Sequence, residues 1–127
     1  MGEQRDPQTY AMISAGMYVH SELGCGFVEL PYQEAMLVEM RFRSIPFVRE
    51  PSLPIQYRGE SLPCRYEPDF ICYDEVVLEL KAVEKLTDKH RSQVINYLKV
   101  SKLQRGLLMN FGAEKLEYER IVLNYTG

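Results

Sequence analysis

Two acidic residues and a lysine are spaced in this chain as a hydrolytic site would need them. Asp69 follows Pro68, and Glu79 and Lys81 come ten and twelve residues after Asp69. Side chains alternate faces along a strand, so Glu79 and Lys81 share one face, about 7 Å apart. Two carboxylates held together would bind an oxygen-preferring cation such as Mg²⁺ or Mn²⁺. A cation placed there could activate water against a phosphodiester, with Lys81 orienting or deprotonating that water.

The pairing of Asp69 with Glu79 depends on the length of one turn. Segments 65–72 and 76–83 are predicted to form a hairpin around residues 73–75. A three-residue loop places Asp69 directly opposite Glu79, whereas a two-residue loop would pair Asp69 with Leu80 and separate the acids. The site therefore depends on register. Without that register, Glu79 and Lys81 would be an ordinary charged pair on the polar face of a surface strand.

Capping residues and apolar spacing predict the elements that position this hairpin. Asp6 with Pro7 starts a first helix, prolines start a second, and Thr87 caps a third. We expect these helices at about 7–23, 30–44 and 87–101. Further strands are predicted at 47–49, 53–57, 106–111 and 117–123, the last of them at a sheet edge. This order predicts an α/β (α+β) fold, with a central mixed sheet flanked by helices.

The size and composition fit one domain covering residues 1–127, with residues 1–5 expected to be flexible. No apolar run is long enough to span a membrane and no signal-peptide pattern occurs, so we expect a cytoplasmic protein without a membrane partner. Three cysteines without CxxC spacing and two distant histidines argue against zinc. We expect the cysteines to be free thiols.

Charge is distributed unevenly. The net charge of −3 does not favour binding to nucleic acid. Residues 81–105, however, carry seven basic and two acidic side chains, a local excess of +5. This segment could follow a phosphate backbone, although a solvated helix face would have the same composition.

These motifs together resemble a known nuclease group. Pro68-Asp69 with Glu79-Leu80-Lys81 resembles the PD-(D/E)xK nuclease superfamily, which has the restriction-endonuclease-like fold. Segment 26–32 (GFVELPY) is similar to the signature of a small bacterial branch, the GxxExxY family. Segments 20–24, 79–83 and 106–112 also resemble that family. The similarity extends over residues 19–123 and implies the same fold for nearly the whole chain.

The resemblance implies roles for individual residues. Asp69 and Glu79 correspond to the metal ligands, and the backbone carbonyl of Leu80 would be a third ligand. Lys81 corresponds to the catalytic lysine. Glu29 resembles the helix-borne acid that completes the metal sphere in several branches. A helix-start acid favoured by the helix dipole is the alternative reading of Glu29.

Gln93 and Tyr97 supply a further match. Four residues apart, they share one helix face. They resemble the QxxxY motif of RecB-like and lambda-exonuclease-like nucleases, in which the pair lines the active site. The alternative is a buried tyrosine beside a polar neighbour. Tyr32 has the same two interpretations, and we expect it to belong to the core or to support the site.

The leading hypothesis is a nuclease, dependent on Mg²⁺ or Mn²⁺, that hydrolyses DNA phosphodiester bonds by in-line attack of a metal-activated water. A catalytically silent binding or scaffold module on the same fold is the second hypothesis, and a nuclease acting on RNA is the third. The expected partner is nucleic acid, with DNA first. A homodimer formed through an edge strand, or an unidentified protein partner, is also compatible with the sequence.

Overall fold

A computed structural model describes residues 6–124, and within them the chain forms three helices and seven strands. The expected flexibility of residues 1–5 falls outside the described residues. The helices are α1 (Pro7–Leu23), α2 (Glu29–Phe42) and α3 (Asp88–Ser101). The strands are β1 (Phe47–Arg49), β2 (Leu53–Tyr57), β3 (Glu60–Tyr66), β4 (Phe70–Cys72), β5 (Val76–Lys81), β6 (Arg105–Asn110) and β7 (Glu117–Val122).

Five strands form one mixed sheet in the order β1-β4-β5-β6-β7, and β2 and β3 form a separate hairpin. β5 and β6 pair in parallel, and the other neighbours are antiparallel. α3 connects the two parallel strands, as such a crossover requires. The predicted class, a mixed sheet flanked by helices, is confirmed. β7 lies at an edge, also as predicted.

The sheet is covered on both faces, which explains why its central strand is almost continuously apolar. Val76, Leu78 and Leu80 point into the main core, which α1 and α2 cover. Val77 points the other way and packs against Tyr97 on α3. β5 therefore alternates as the sequence predicts, with Glu79 and Lys81 on the same side as Val77.

Side-chain caps determine where α1 and α3 begin. Asp6 accepts a hydrogen bond from the N–H of Thr9 and starts α1 as predicted. Thr87 starts α3 with a capping box, in which the His90 ring accepts from the N–H of Thr87. Within residues 6–124, none of the helices combines the length and the hydropathy that a membrane-spanning segment needs.

The predicted register of the hairpin is confirmed. Cys72 pairs with Val76 and Phe70 pairs with Leu78. The three-residue turn places two non-glycine residues, Tyr73 and Asp74, at positive φ of 57° and 58°. One step beyond the last pair, Asp69 comes opposite Glu79.

The prediction of one long strand over 65–72 is wrong. β3 ends at Tyr66 and β4 begins only at Phe70. Pro68 lies between them and has no N–H for a ladder, so it breaks the strand. β3 also extends back to Glu60 and pairs with β2, which the sequence did not indicate because Pro63 lies inside it. This proline is tolerated because a two-stranded hairpin leaves each strand an unpaired edge.

Candidate active site

Asp69 and Glu79 are joined across the end of the β4–β5 ladder. The N–H of Asp69 donates to Glu79 Oε1 at 3.1 Å, and the N–H of Leu80 donates to Asp69 Oδ2 at 2.7 Å. Each carboxylate thus binds the backbone of the opposite strand where regular pairing stops. The two acids that the sequence predicted as a pair do lie together.

Burial raises the pKa of both carboxyl groups in this pair, and repulsion by Asp69 adds to the increase at Glu79. Burial, then the charge of Asp69, raises the pKa of Glu79 to about 8. Burial also raises the pKa of Asp69, against the opposing effects of its hydrogen bonds from Leu80 and Gln33. Lys81 Nζ lies 3.4 Å from Glu79 Oε2, a contact that their shared strand face allows. A single lysine leaves the pair short of positive charge.

An acidic cleft of about 210 Å³ opens beside Asp69. Glu29 reaches it from the first turn of α2, where an acid is favoured by the helix dipole. Glu29 is exposed, so it lies at the rim of the cleft and not in the core. The lining residues are Glu29, Leu30, Gln33, Glu50, Asp69 and Leu80. The structure therefore brings Glu29, Asp69 and Leu80 to one cleft.

The sequence did not reveal two polar residues of this cleft, Gln33 and Glu50, or the arginine that bonds Gln33 from outside it. Gln33 Nε2 donates to Asp69 Oδ1 at 2.7 Å, and its Oε1 accepts from Arg49 Nε at 2.9 Å. The N–H of Glu50 donates to the backbone carbonyl of Asp69 at 2.8 Å. One signal was available for Gln33: a polar residue beside Tyr32, on the face of α2 that buries Met36.

A second cleft, of about 490 Å³, lies on the α3 side of Lys81. It is lined by Tyr66, Lys81, Lys89, His90, Ser92, Gln93 and Asn96, with no carboxylate among them. Burial, followed by the charge of Lys81 and with a contribution from Lys89, lowers the pKa of His90. Both lysines lower the pKa of His90 because their positive charge disfavours a second positive charge on the nearby imidazole.

The predicted Gln93 and Tyr97 pair forms on this side. Gln93 Nε2 donates to the Tyr97 hydroxyl at 3.2 Å. Tyr97 is buried against the ring of Tyr66, with 5.3 Å between ring centroids. Burial, then the negative charges of Glu79 and Asp69, raises the pKa of Tyr97, so its hydroxyl keeps its proton. Gln93 thus lines the cleft, and Tyr97 supports it from the buried side without lining the cleft itself.

The donor atoms are of the kind that a hard divalent cation prefers. They are carboxylate oxygens from Asp69, Glu79 and the rim residue Glu29, with the carbonyl of Leu80 as the predicted backbone donor. Across residues 6–124, however, no three His, Cys, Asp or Glu side chains cluster closely enough to hold a metal ion. Glu29 is therefore not gathered with the acidic pair into a compact ligand set. The residues fit a cation bound by two side chains, backbone oxygen and water.

His20 and the three cysteines line neither of these two clefts. His20 lies 2.9 Å from the carbonyl of Ala113, and Cys72 is buried in the core as a free thiol. Cys25 and Cys64 are free and exposed. In the basic segment, Arg91 pairs with Glu119 at 2.7 Å, so part of the local positive charge is neutralised.

Comparison with known proteins identifies the superfamily and the fold. The sequence model of the PD-(D/E)XK nuclease superfamily matches residues 6–121. Among solved structures, the chain is similar to the crystal structure of SSO0001, with a TM-score of 0.58 and 16% identity over 74% of this chain. The alignment covers 49% of that protein, so this chain spans about half its length. No curated protein sequence matches the chain. The restriction-endonuclease-like fold is confirmed.

Proposed function

We propose that this chain, which belongs to the PD-(D/E)XK nuclease superfamily, is a metal-dependent nuclease that hydrolyses DNA phosphodiester bonds. One observation carries the proposal: Glu79 links an acidic cleft to a basic one, because it bonds the N–H of Asp69, which lines the first, and pairs with Lys81, which lines the second. The acidic side suits a cation and the basic side suits a phosphate. If Glu79 and Lys81 were only a charged pair on a surface strand, neither cleft would be expected beside them.

The acidic pair would hold Mg²⁺ or Mn²⁺ together with the Leu80 carbonyl, and Glu29 would contribute from the rim through water. A bound divalent cation would neutralise phosphate charge and acidify a coordinated water. Glu79 must lose its proton to serve as a ligand, because its pKa is about 8 without a cation.

Lys81 would act on the reacting atoms from the other side. Its ammonium group lies between the acidic pair and the basic cleft, so it can orient the attacking water and stabilise charge on the phosphoryl oxygens. Gln93 lines the same cleft and can donate to a phosphate oxygen, because amide N–H groups are strong donors. Tyr97 would keep Gln93 and the floor of the cleft in place.

Within the superfamily, the proposal assigns the chain to the GxxExxY family. Tyr32 of that motif is fully buried, and its hydroxyl donates to the carbonyl of Gly24 at 2.6 Å. It also accepts from the N–H of Phe27 at 3.2 Å. Tyr32 therefore ties down the loop before α2, which carries Glu29. In this geometry the tyrosine of the motif holds the glycine-containing loop, and the loop leads into the helix that carries the acid.

The test is a substrate panel with matched variants. Labelled single-stranded DNA, double-stranded DNA and RNA are incubated with Mg²⁺, Mn²⁺ or EDTA. Wild type is compared with Asp69→Ala, and with Glu114→Ala as a control for loss of an exposed acid away from both clefts. We expect cleavage of DNA by wild type and Glu114→Ala with metal, and none by Asp69→Ala or in EDTA.

The other hypotheses give different results in the same panel. Cleavage confined to RNA would change the substrate and keep the site. If wild type and Asp69→Ala are equally inactive on every substrate, the enzyme proposal is rejected. The silent module is then supported if Mn²⁺ also leaves the melting temperature unchanged, since a ligand that binds only the native state must raise it.

A further inference from the structure

The side chain of Gln33 is a buried amide that lies between the guanidinium group of Arg49 and the carboxylate of Asp69. It is 5% exposed, on a helix face that otherwise buries apolar side chains. Its Nε2 donates to Asp69 Oδ1 at 2.7 Å, and its Oε1 accepts from Arg49 Nε at 2.9 Å and from Nη2 at 2.5 Å. A buried amide is stabilising only where both of its ends have partners, and both ends of Gln33 do.

The orientation of the amide is determined by its neighbours. Arg49 offers only donors and Asp69 offers only acceptors when ionised. The oxygen of Gln33 must therefore face Arg49 and its nitrogen must face Asp69. A second acceptor on the nitrogen side, Glu50 Oε2 at 3.4 Å, favours the same orientation.

Arg49 lies close to Asp69 because both side chains bond the amide of Gln33 and the sheet brings their backbones together. Arg49 and Phe70 are register partners across β1 and β4, so Asp69 is the next residue along the opposite strand. The N–H of Glu50 also donates to the Asp69 carbonyl. An arginine in this position could form a bidentate pair with the carboxylate, occupying its oxygens and cancelling its charge.

We propose that Gln33 is a positioning residue that separates Arg49 from Asp69 and keeps the Asp69 carboxylate available for a divalent cation. The neutral amide transmits orientation from Arg49 to Asp69 without neutralising the carboxylate. This inference rests on the proposed metal site. It assigns to Gln33 and Arg49 a role that concerns metal affinity and not the chemical step.

The test is a double-variant cycle read out as Mn²⁺ affinity by titration calorimetry. Gln33→Met keeps the approximate side-chain volume and removes both the donor and the acceptor of the amide. Arg49→Met removes the guanidinium group. We expect Gln33→Met to weaken Mn²⁺ binding about tenfold or more, since Arg49 can then pair with Asp69. Arg49→Met alone should change the affinity less than about threefold. Adding Arg49→Met to Gln33→Met should recover most of the loss.

Recovery of Mn²⁺ affinity in the double variant distinguishes a positioning role of Gln33 from structural support. If Gln33 only held the fold, removing Arg49 as well would leave the affinity as low or lower, and that result overturns the inference. Melting curves of all variants identify any loss caused by unfolding. Asp69→Ala shows whether Mn²⁺ binds at the acidic pair at all. If wild type binds Mn²⁺ and Asp69→Ala does not, an unaffected Gln33→Met rejects the inference alone. If wild type binds no Mn²⁺, the proposed function is rejected together with the inference.

Discussion

The backbone N–H of Asp69 donates to the carboxylate of Glu79, which brings two acids into contact at the end of a sheet. The Asp69 carboxylate in turn accepts from the N–H of Leu80, on the strand of Glu79. These bonds continue the β4–β5 ladder with side chains in place of one strand's backbone. The pairing therefore fixes both acids while leaving them electrostatically unfavourable, and a cation would relieve this.

The first prediction concerns pH. The pKa of Glu79 rises from 4.5 to about 8 on folding, so between these values the native state holds a proton that the unfolded chain has released. Its contribution to the free energy of unfolding is therefore fully present below about pH 4.5 and is lost as the pH rises through 8. Urea titrations of wild type and Glu79→Gln across this range measure it.

The difference between the two proteins reports on the Asp69–Glu79 pair, because the titrating groups away from this pair are shared. We expect the free energy of unfolding of wild type, minus that of Glu79→Gln, to fall steadily from pH 4.5 to 8 in EDTA. Saturating Mn²⁺ should reduce or reverse this fall, since the cation favours the ionised carboxylate. Parallel pH curves for the two proteins would contradict the raised pKa of Glu79 in the folded pair.

The second prediction separates catalysis from metal binding. Lys81→Met removes the ammonium group 3.4 Å from Glu79 and keeps much of the apolar stem. We expect kcat to fall about 10²- to 10⁴-fold, the range typical of a lost general acid or base. Mn²⁺ affinity should not weaken, because Lys81 competes with the cation for Glu79. Lys99→Met, an exposed position on α3, is the matched control and should retain activity. A variant of Lys81 that cleaves at the wild-type rate would exclude its catalytic role.

The sequence was sufficient for the register but not for the surroundings of the site. A three-residue turn is a matter of counting, and alternation along β5 then determines which side chains face Glu79. Gln33 was not predicted because a glutamine on a helix carries no signal until the helix is packed against Asp69. Glu50 lines the cleft from a backbone position with a φ of 48°, and a pattern of apolar residues does not predict such a conformation.

Prolines account for the error in the strands. Pro68 interrupts a run that alternation alone would extend, and Pro63 conceals a strand that an isolated hairpin can tolerate. Whether Glu29 contributes directly to a metal site could not be predicted either, because it lies on another element. Its distance from Asp69 depends on how α2 packs, and spacing along the chain does not specify this.

The third prediction concerns the tyrosine of the loop before α2. Tyr32→Phe removes the hydroxyl that bonds Gly24 and Phe27 and keeps the ring, which stacks on Phe111 at 4.7 Å. We expect a loss of about 1–2 kcal/mol in the free energy of unfolding, typical of lost buried hydrogen bonds. Amide hydrogen exchange at Phe27 should accelerate. Tyr18→Phe, on the exposed face of α1, is the control and should change neither quantity. Unchanged protection of Phe27 would show that the hydroxyl does not hold the loop.

The fourth prediction concerns the glycine that follows β6. A Cβ added at Gly112 would lie 2.4 Å from the carbonyl oxygen of Val83 and 2.5 Å from its nitrogen. These are backbone atoms, and Asn110 holds them in place by bonding both the N–H and the carbonyl of Val83 at 2.9 Å. The clash cannot be relieved by a rotating side chain, so the segment after Lys81 must shift.

We therefore expect Gly112→Ala to lower the free energy of unfolding by about 1–3 kcal/mol, as overpacking of a close contact does. Gly26→Ala is the matched control, because no atom lies within 4 Å of the added Cβ there. Urea denaturation of both variants measures the difference. Because the displaced segment continues from Lys81, Gly112→Ala should also reduce nuclease activity more than its residual folded fraction explains. Equal stability of the two variants would mean that the ends of β5 and β6 are not clamped together in solution.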